Sequence, residues 1–203
     1  MSFATPLFLW YFVPIVLAAV LIAPRGWRNG IVAVASLIFY ASGAGASTLI
    51  LLTTMTANYL VGPHLEPSTW DRGARRKRLL IGAITFNVAV LVVWKYTGFA
   101  TEQFAAIARL LGGDFPVVHL ALVIGISFYT FHQISYVVDI YRGERKALRN
   151  PVSFITYIAM FPQLAAGPIV RFREIADQLP QQRSHRLDDI AAGFPRFALG
   201  LCK

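Results

Sequence analysis

The sequence predicts an all-α fold: a polytopic transmembrane helical bundle with a broken or re-entrant segment and interfacial amphipathic helices. Of its 203 residues, 56% are hydrophobic and only 14% are charged, and the mean hydropathy is +0.56. A soluble domain carries roughly 25% charged residues. Its lysines and arginines lie in short runs between long apolar segments, which is typical of a chain that crosses a membrane several times. A late apolar run, 161–173, is interrupted by prolines and a glycine.

The composition also narrows the function classes. The formal net charge is +9, but no basic stripe with interleaved aromatic residues stands apart from the apolar segments, so nucleic acid is not an expected partner. The single cysteine, Cys202, excludes an internal disulfide and a thiolate metal cluster. The histidines lack the spacing of metal ligands, so no metal site is expected. No basic residue precedes the first apolar run, which favours a retained span over a cleaved signal peptide.

The apolar segments divide a single membrane domain, 1–203, into successive elements. Thr5 and Pro6 suit the start of a helix, as do Asn150 and Pro151. The stretch 31–62 exceeds one crossing of about 20 residues, so its glycine-rich run 43–47 is expected to form a tight turn between two spans. The predicted spans lie near 6–23, 31–42, 48–62, 79–96 and 117–141, followed by a broken segment at 151–170 and amphipathic helices within 171–202.

The distribution of basic residues predicts the orientation. With a turn at 43–47, one side of the membrane receives the loops 24–30, 63–78 and 142–151, whereas the other side carries only Arg109, in the 97–116 loop. Basic loops remain in the cytoplasm, so the N-terminus is expected outside it. The 97–116 loop has apolar residues at roughly helical spacing, which fits an interfacial helix or a short buried one. The eleven basic residues of the first side are Arg25, Arg28, Arg72, Arg75, Arg76, Lys77, Arg78, Arg142, Arg145, Lys146 and Arg149.

The fifth predicted span is the most polar one. His132, Ser135, Tyr136 and Asp139 recur at helical spacing and therefore share one face. An ionisable group within a span is costly unless it faces protein or water, so this face is expected to point into the bundle. One interpretation is the lining of a polar cavity. The other is helix–helix hydrogen bonding, with Asp139 paired to a nearby arginine, Arg142 or Arg145.

The broken segment supplies the remaining site candidates. Lipid cannot satisfy the backbone groups that a break releases, so such a break must be packed in protein or line a wet cavity. The alternative is an ordinary kinked helix with no site. The arginines after the break are suited either to binding anionic headgroups and the phosphates of an acyl donor, or to an ordinary interfacial position. The cavity or hinge candidates of this segment are Pro162, Gln163, Gly167, Pro168 and Arg171.

Two long segments, 124–143 and 161–179, resemble the membrane-bound O-acyltransferases, in particular the branch that contains the membrane subunit of alginate O-acetyltransferase. The resemblance covers the N-terminal portion of that family only. It implies a helical fold with a funnel or tunnel through the bacterial cytoplasmic (inner) membrane. It also implies transfer of an acyl group, such as acetyl, from a cytosolic donor to hydroxyls of an exported polysaccharide such as alginate. The donor would be acetyl-CoA or an acyl carrier, with no tightly bound cofactor, and the partners would be extracytoplasmic polysaccharide-acetylation proteins.

The same resemblance places the catalytic histidine in a tryptophan-rich motif downstream of Lys203. No catalytic residue is therefore assigned within this chain, which is expected to be inactive alone and to need the missing C-terminal half of the fold. The competing hypotheses are a non-catalytic part of a channel or transporter and a scaffold subunit. A discontinuous helix is also found in transporters, so the break alone does not decide between them.

Overall fold

The computed structural model describes residues 5–67, 73–113, 115–118, 120, 123–164, 170–179 and 187–201. Throughout these residues the regular structure is helical, with no strand, which confirms the predicted all-α class. A π-helical turn, Phe8–Phe12, precedes the first α-helix, and 3-10 turns flank the next two. The helices are α1 (Val13–Ile22), α2 (Arg28–Ala44), α3 (Thr48–Val61), α4 (Ala74–Leu110), α5 (Ile126–Tyr141), α6 (Pro151–Ala159), α7 (Phe161–Leu164), α8 (Phe172–Ile175) and α9 (Leu187–Leu201).

The chain reverses direction between α2 and α3. Gly45 has a φ of +54°, a backbone conformation that glycine adopts without steric penalty. At the end of α2 the Tyr40 hydroxyl donates to the carbonyl of Ile124, just before α5 begins. At the end of α3, Gly62 packs against Tyr136, late in α5. Helix α3 therefore runs in the same direction as α5, and α2 runs in the opposite direction.

Helix α4 is much longer than the span predicted at 79–96. It runs for 37 residues, about 55 Å at 1.5 Å per residue, whereas the hydrocarbon core of a bilayer is about 30 Å thick. Aromatic residues such as Trp94 and Tyr96 favour the headgroup layer, but they do not stop helical hydrogen bonding. The helix consequently continues to Leu110, and residues 97–110 are neither a loop nor a separate helix.

Helix α5 begins later than the span predicted at 117–141. Gly125 precedes the helix with a φ of +70°, a left-handed conformation that interrupts a right-handed helix. At the other end Gly143, with a φ of +74°, follows α5. There the N–H of Glu144 donates to the carbonyl of Asp139 at 3.0 Å. Glycines in these conformations thus set both ends of the most polar helix.

The regular helical structure is interrupted after α6. This helix begins as the sequence predicts, because the side chain of Asn150 accepts the N–H of Val152 and Pro151 occupies the first helical position. Met160 then adopts φ −50° and ψ 118°, which ends the helix. The single turn α7 follows, and 165–169 lie outside the described residues.

The contacts define two ends of the bundle. At one end the Arg76 guanidinium donates to the carbonyls of Leu65 and Tyr141. At the opposite end the ammonium of Lys95 donates to the hydroxyl of Ser127, at the start of α5. The described parts of the basic loops 63–78 and 142–151 therefore lie at the same end of the bundle. The core between the two ends surrounds α5.

The outer surface of the bundle is strongly apolar. Trp10, Ile22 and Leu110 are 76%, 85% and 87% exposed. In the most apolar 18-residue window of α4 only 6% of the residues are buried, unlike the core helix of a soluble protein. Two helical stretches, Arg25–Leu65 and Ala74–Leu110, have the length and composition of membrane spans, and the first contains the reversal at Gly45. Soluble monomers rarely expose apolar surface on this scale, so the chain is a helical membrane protein.

Candidate functional site

A buried amide network joins three helices inside the bundle. The side chains of Asn58 on α3 and Asn87 on α4 exchange hydrogen bonds of 3.0 and 2.9 Å. Asn58 also donates to Gln133 on α5 at 2.7 Å, and the Gln133 amide donates to the hydroxyl of Thr54 at 3.1 Å. All four side chains are at most 2% exposed. Because each side-chain amide has hydrogen-bond partners, this network fixes the register of α3, α4 and α5 and leaves none of its amides unpaired.

His132 lies next to this network along α5, but its environment is different. It is fully buried, and neither ring nitrogen has a hydrogen-bond partner in the described structure. Its ring lies 5.7 Å from that of Tyr157 on α6, measured between centroids. The Tyr157 hydroxyl donates to the backbone carbonyl of His132 at 3.3 Å rather than to the ring. A buried imidazole without partners is uncommon, because native structures satisfy nearly all buried polar groups.

Tyr136, one turn further along α5, is a packing centre. Its ring is fully buried between those of Phe154 and Phe172, with both centroid distances at 4.8 Å. Its hydroxyl accepts the backbone N–H of Leu148 at 3.2 Å. Gly62 lies so close that an added Cβ would be 2.8 Å from the hydroxyl oxygen. Tyr136 therefore ties α5 to α3, to α6 and to the segment that follows the break.

Asp139 and Ser135 hold that later segment. The Asp139 carboxylate, in a residue only 5% exposed, accepts the backbone N–H of Arg173 at 3.0 Å and the Ser135 hydroxyl at 3.3 Å. The Ser135 oxygen in turn accepts the N–H of Phe172 at 3.1 Å. Asp139 forms no salt bridge among the described residues. The pairing with Arg142 or Arg145 considered from the sequence is not seen among the described residues, and Arg145 binds Asp177 at 2.8 Å instead.

The residues around the break occupy two different environments. The N–H of Phe161 donates to the hydroxyl of Ser36 on α2. The Phe161 ring packs in an aromatic cluster with Phe39 on α2 and with the π-helical turn Phe8–Phe12. Pro162 and Arg171 are exposed, and Gln163 is half-buried. The candidates Gly167 and Pro168 lie outside the described residues.

The candidate residues of α5 are thus brought together, while those of the break are only partly placed. His132, Tyr136 and Asp139 follow one face of α5, and Tyr157 and Phe172 pack against it. The chain on the far side of the break returns to this face at Phe172 and Arg173. Irregular backbone is thereby packed against the polar side of a membrane helix, and irregular backbone at membrane depth is tolerated only where it is buried in protein or lines a wet cavity.

Comparisons with known proteins found relatives that align with nearly the whole chain. The chain is 36% identical to the "Probable alginate O-acetylase AlgI" of Azotobacter vinelandii, over 100% of the chain and 40% of the relative. It is 34% identical to the protein of the same name from Pseudomonas aeruginosa, over 100% of the chain and 39% of that relative. It is 31% identical to the peptidoglycan O-acetyltransferase of Helicobacter pylori, over 99% of the chain and 43% of that relative. The chain is homologous to an N-terminal portion of the AlgI-type membrane-bound O-acyltransferases.

The similarity to the AlgI proteins extends over only part of their length. The chain spans about 40% of the length of the alginate O-acetylases that it matches. No family model matches the sequence, and no solved structure matches it. The described residues contain no group of three or more histidine, cysteine, aspartate or glutamate side chains that could hold a metal ion.

Local sequence patterns do not reveal two features of this site. Asn58 and Asn87 lie in two different apolar helices, 29 positions apart in the sequence, and their role becomes visible only when α3 and α4 pack together. Asp139 uses a backbone N–H rather than a cationic side chain as its partner, and counting charges along the sequence cannot detect that choice. The available signal was the cost of burying an amide in an apolar span, which predicts an interhelical partner without naming it.

Proposed function

We propose that this chain forms the N-terminal part of a membrane O-acyltransferase that moves an acetyl group from a cytosolic donor to hydroxyls of an exported polysaccharide such as alginate. The observation that carries the proposal is the similarity to proteins named alginate O-acetylase, at 34–36% identity over all of this chain. The similarity to a peptidoglycan O-acetyltransferase supports the same chemistry on a second polysaccharide. The proposed donor is acetyl-CoA or an acyl carrier. The proposed partners are extracytoplasmic polysaccharide-acetylation proteins and the rest of the fold, which would supply the catalytic histidine.

The geometry supports a wall and hinge role for this portion. The polar face of α5 meets the irregular chain near the break, and there the two ring nitrogens of His132 have no partner among the described residues. We assign His132 to the cavity wall, and Tyr136 and Asp139 to positioning the returning segment. Pro162, Gln163 and Arg171 remain proposed hinge or cavity residues of the broken segment, together with Gly167 and Pro168. A polar group that lines a passage would interact with the polar acyl carbonyl, whereas lipid-facing apolar residues would not.

The charge distribution supports an orientation. The basic loops meet at one end of the bundle, where Arg76 binds the Leu65 carbonyl and Arg149 binds Glu66. We propose that this end faces the cytosol and the acyl donor. The N-terminus would then lie outside the cytoplasm, and the membrane would be the bacterial inner membrane. The proposed crossings are α1 to α5, corresponding to the spans near 6–23, 31–42, 48–62, 79–96 and 117–141.

A chimera tests the proposed function. The 203 residues would replace the matching portion of the Pseudomonas aeruginosa relative, in a strain that lacks that relative, and acetyl ester would be measured on secreted alginate. We expect acetylation to be restored, because the two portions share 34% identity over the whole chain. The control is the intact relative expressed from the same vector. A chimera present in the membrane at the control level, but without acetyl ester on the polymer, would contradict the proposal.

A further inference from the structure

A cavity lies outside the polar face of α5. It has a volume of about 620 Å³ and opens where the connection between α5 and α6, residues 143–150, faces residues 176–177. Binding sites for small organic molecules fall in the range of roughly 300–1,000 Å³. The cavity is therefore large enough for an organic group rather than for an ion alone. It belongs to the end of the bundle that carries the basic loops.

Among the described residues that line this cavity, one cation has no ion-pair partner. Arg145 pairs with Asp177 at 2.8 Å and Arg149 pairs with Glu66 at 2.9 Å. Glu144, the remaining acidic residue of the lining, pairs with Arg173 at 3.1 Å. Lys146 lines the cavity, is exposed and has no hydrogen bond or ion pair among the described residues. Because arginines already neutralise the carboxylates, Lys146 adds an uncompensated positive charge.

A second polar side chain also lines the cavity. Ser153, in the first turn of α6, is only 6% exposed, and its hydroxyl has no hydrogen bond to another described residue. Asn150 already accepts the N–H of Val152, and Pro151 has no N–H, so Ser153 supplies an N–H and a hydroxyl that have no partner among the described residues at this helix start. The N-terminus of a helix favours anions, because its unpaired N–H groups point outward and its dipole is positive there.

We propose that this cavity binds the phosphate of an organic phosphate, with Lys146 and Ser153 as its principal ligands. A phosphate accepts several charge-assisted hydrogen bonds, and lysine and helix-terminal N–H groups are common donors to it. The phosphate could belong to an anionic lipid headgroup or to a soluble phosphate ester. The site does not depend on the acyl-transfer proposal, because these donors recognise phosphate whatever group it carries.

Chemical footprinting of lysines in membranes tests the site without purification. Membrane vesicles containing the chain would be treated with an amine-modifying reagent, with and without inorganic pyrophosphate at constant ionic strength. Lys77 is the matched control, because it is also exposed and lies at the same end of the bundle. We expect pyrophosphate to slow the modification of Lys146 roughly five-fold or more and that of Lys77 less than two-fold. A parallel arm compares phosphatidylcholine vesicles with and without phosphatidylglycerol.

Variants assign the protection to the cavity. Ser153→Ala should weaken the protection of Lys146 roughly three-fold or more, because it removes one hydrogen bond. Arg142→Gln removes an exposed basic residue that does not line the cavity and should leave the protection unchanged. Protection by pyrophosphate indicates a soluble phosphate ester, and protection only by phosphatidylglycerol indicates a lipid headgroup. Equal protection of Lys146 and Lys77 in both arms, or protection of Lys146 that Ser153→Ala leaves intact, would overturn the proposal.

Discussion

Asn58 and Asn87 form a reciprocal amide pair that fastens α3 to α4 inside the bundle. Each side chain donates to the other, at 3.0 and 2.9 Å, and both residues are only 1% exposed. Gln133 extends the pair to α5. In an apolar environment these amides have no water as an alternative partner, so they favour one register of the three helices.

Replacing Asn58 by leucine should destabilise the bundle by about 1–3 kcal/mol. The substitution leaves the buried amides of Asn87 and Gln133 with too few hydrogen-bond partners, and about 1–3 kcal/mol is the usual cost of leaving a buried polar group unpaired. The measurement is the free energy of unfolding in detergent. Thr56→Leu is the matched control, because Thr56 lies on the exposed side of the same helix and bonds only its own helix backbone. Equal stability of both variants and the parent chain would refute a structural role for the network.

Gly62→Ala should also destabilise the protein, by roughly 1–3 kcal/mol, the usual cost of overpacking a core. The new Cβ would lie 2.8 Å from the hydroxyl oxygen of Tyr136, whose ring is held between Phe154 and Phe172 and cannot easily move. Gly82→Ala is the control, because nothing lies within 4 Å of its added Cβ and alanine favours a helix interior. Thermal unfolding should separate the two variants, with Gly62→Ala melting lower. A melting temperature for Gly62→Ala at or above that of the parent would contradict the packing described here.

Asp139→Ala should release the segment that begins at Phe172. The carboxylate accepts the N–H of Arg173, and a hydrogen bond to a charged group contributes about 1.5–3 kcal/mol, so exchange of that amide should rise at least roughly ten-fold. Hydrogen exchange read by mass spectrometry over 170–179 provides the measurement. The control is Glu144→Gln. In the parent protein the Glu144 carboxylate forms an exposed ion pair with Arg173 and raises the pKa of that guanidinium, and the substitution removes this pair. Because solvent screens this pair, the exchange rate should change little in the control. Unaltered exchange in Asp139→Ala would show that other contacts hold the segment.

His132→Leu should separate stability from function. The imidazole has no hydrogen bond to lose among the described residues, so the free energy of unfolding should stay the same or increase. In the chimera, acetyl ester on alginate should fall roughly ten-fold or more, the effect of losing one or two hydrogen bonds along the acyl path. Phe131→Leu, at an exposed neighbouring position of α5, is the control and should retain activity. Full activity of His132→Leu would assign the histidine a purely structural place.

The sequence predicted the elements better than their lengths and contacts. The glycine-rich turn after α2 and the start of α6 at Asn150 were correct, because Gly45 and the Asn150 cap act locally. The continuation of α4 to Leu110 was missed, because Trp94 and Tyr96 report the depth of the membrane and not the end of a helix.

The candidate site was predictable only in part, for a similar reason. Helical spacing placed His132, Tyr136 and Asp139 on one face, because that relationship lies within a single helix. Their partners come from elsewhere in the chain, such as the N–H of Arg173, 34 positions after Asp139. Periodicity within a helix carries no information on which distant backbone group will dock against it.

Cysteine accessibility tests the membrane arrangement most directly. In a Cys202→Ser background, single cysteines would be introduced by Lys77→Cys, Lys146→Cys and Gln103→Cys and labelled with an impermeant reagent from each side of the membrane. The proposed membrane arrangement predicts that positions 77 and 146 react from the cytoplasmic side and position 103 from the opposite side. Labelling of positions 77 and 146 from opposite sides would contradict it, because the bundle brings their loops together at one end.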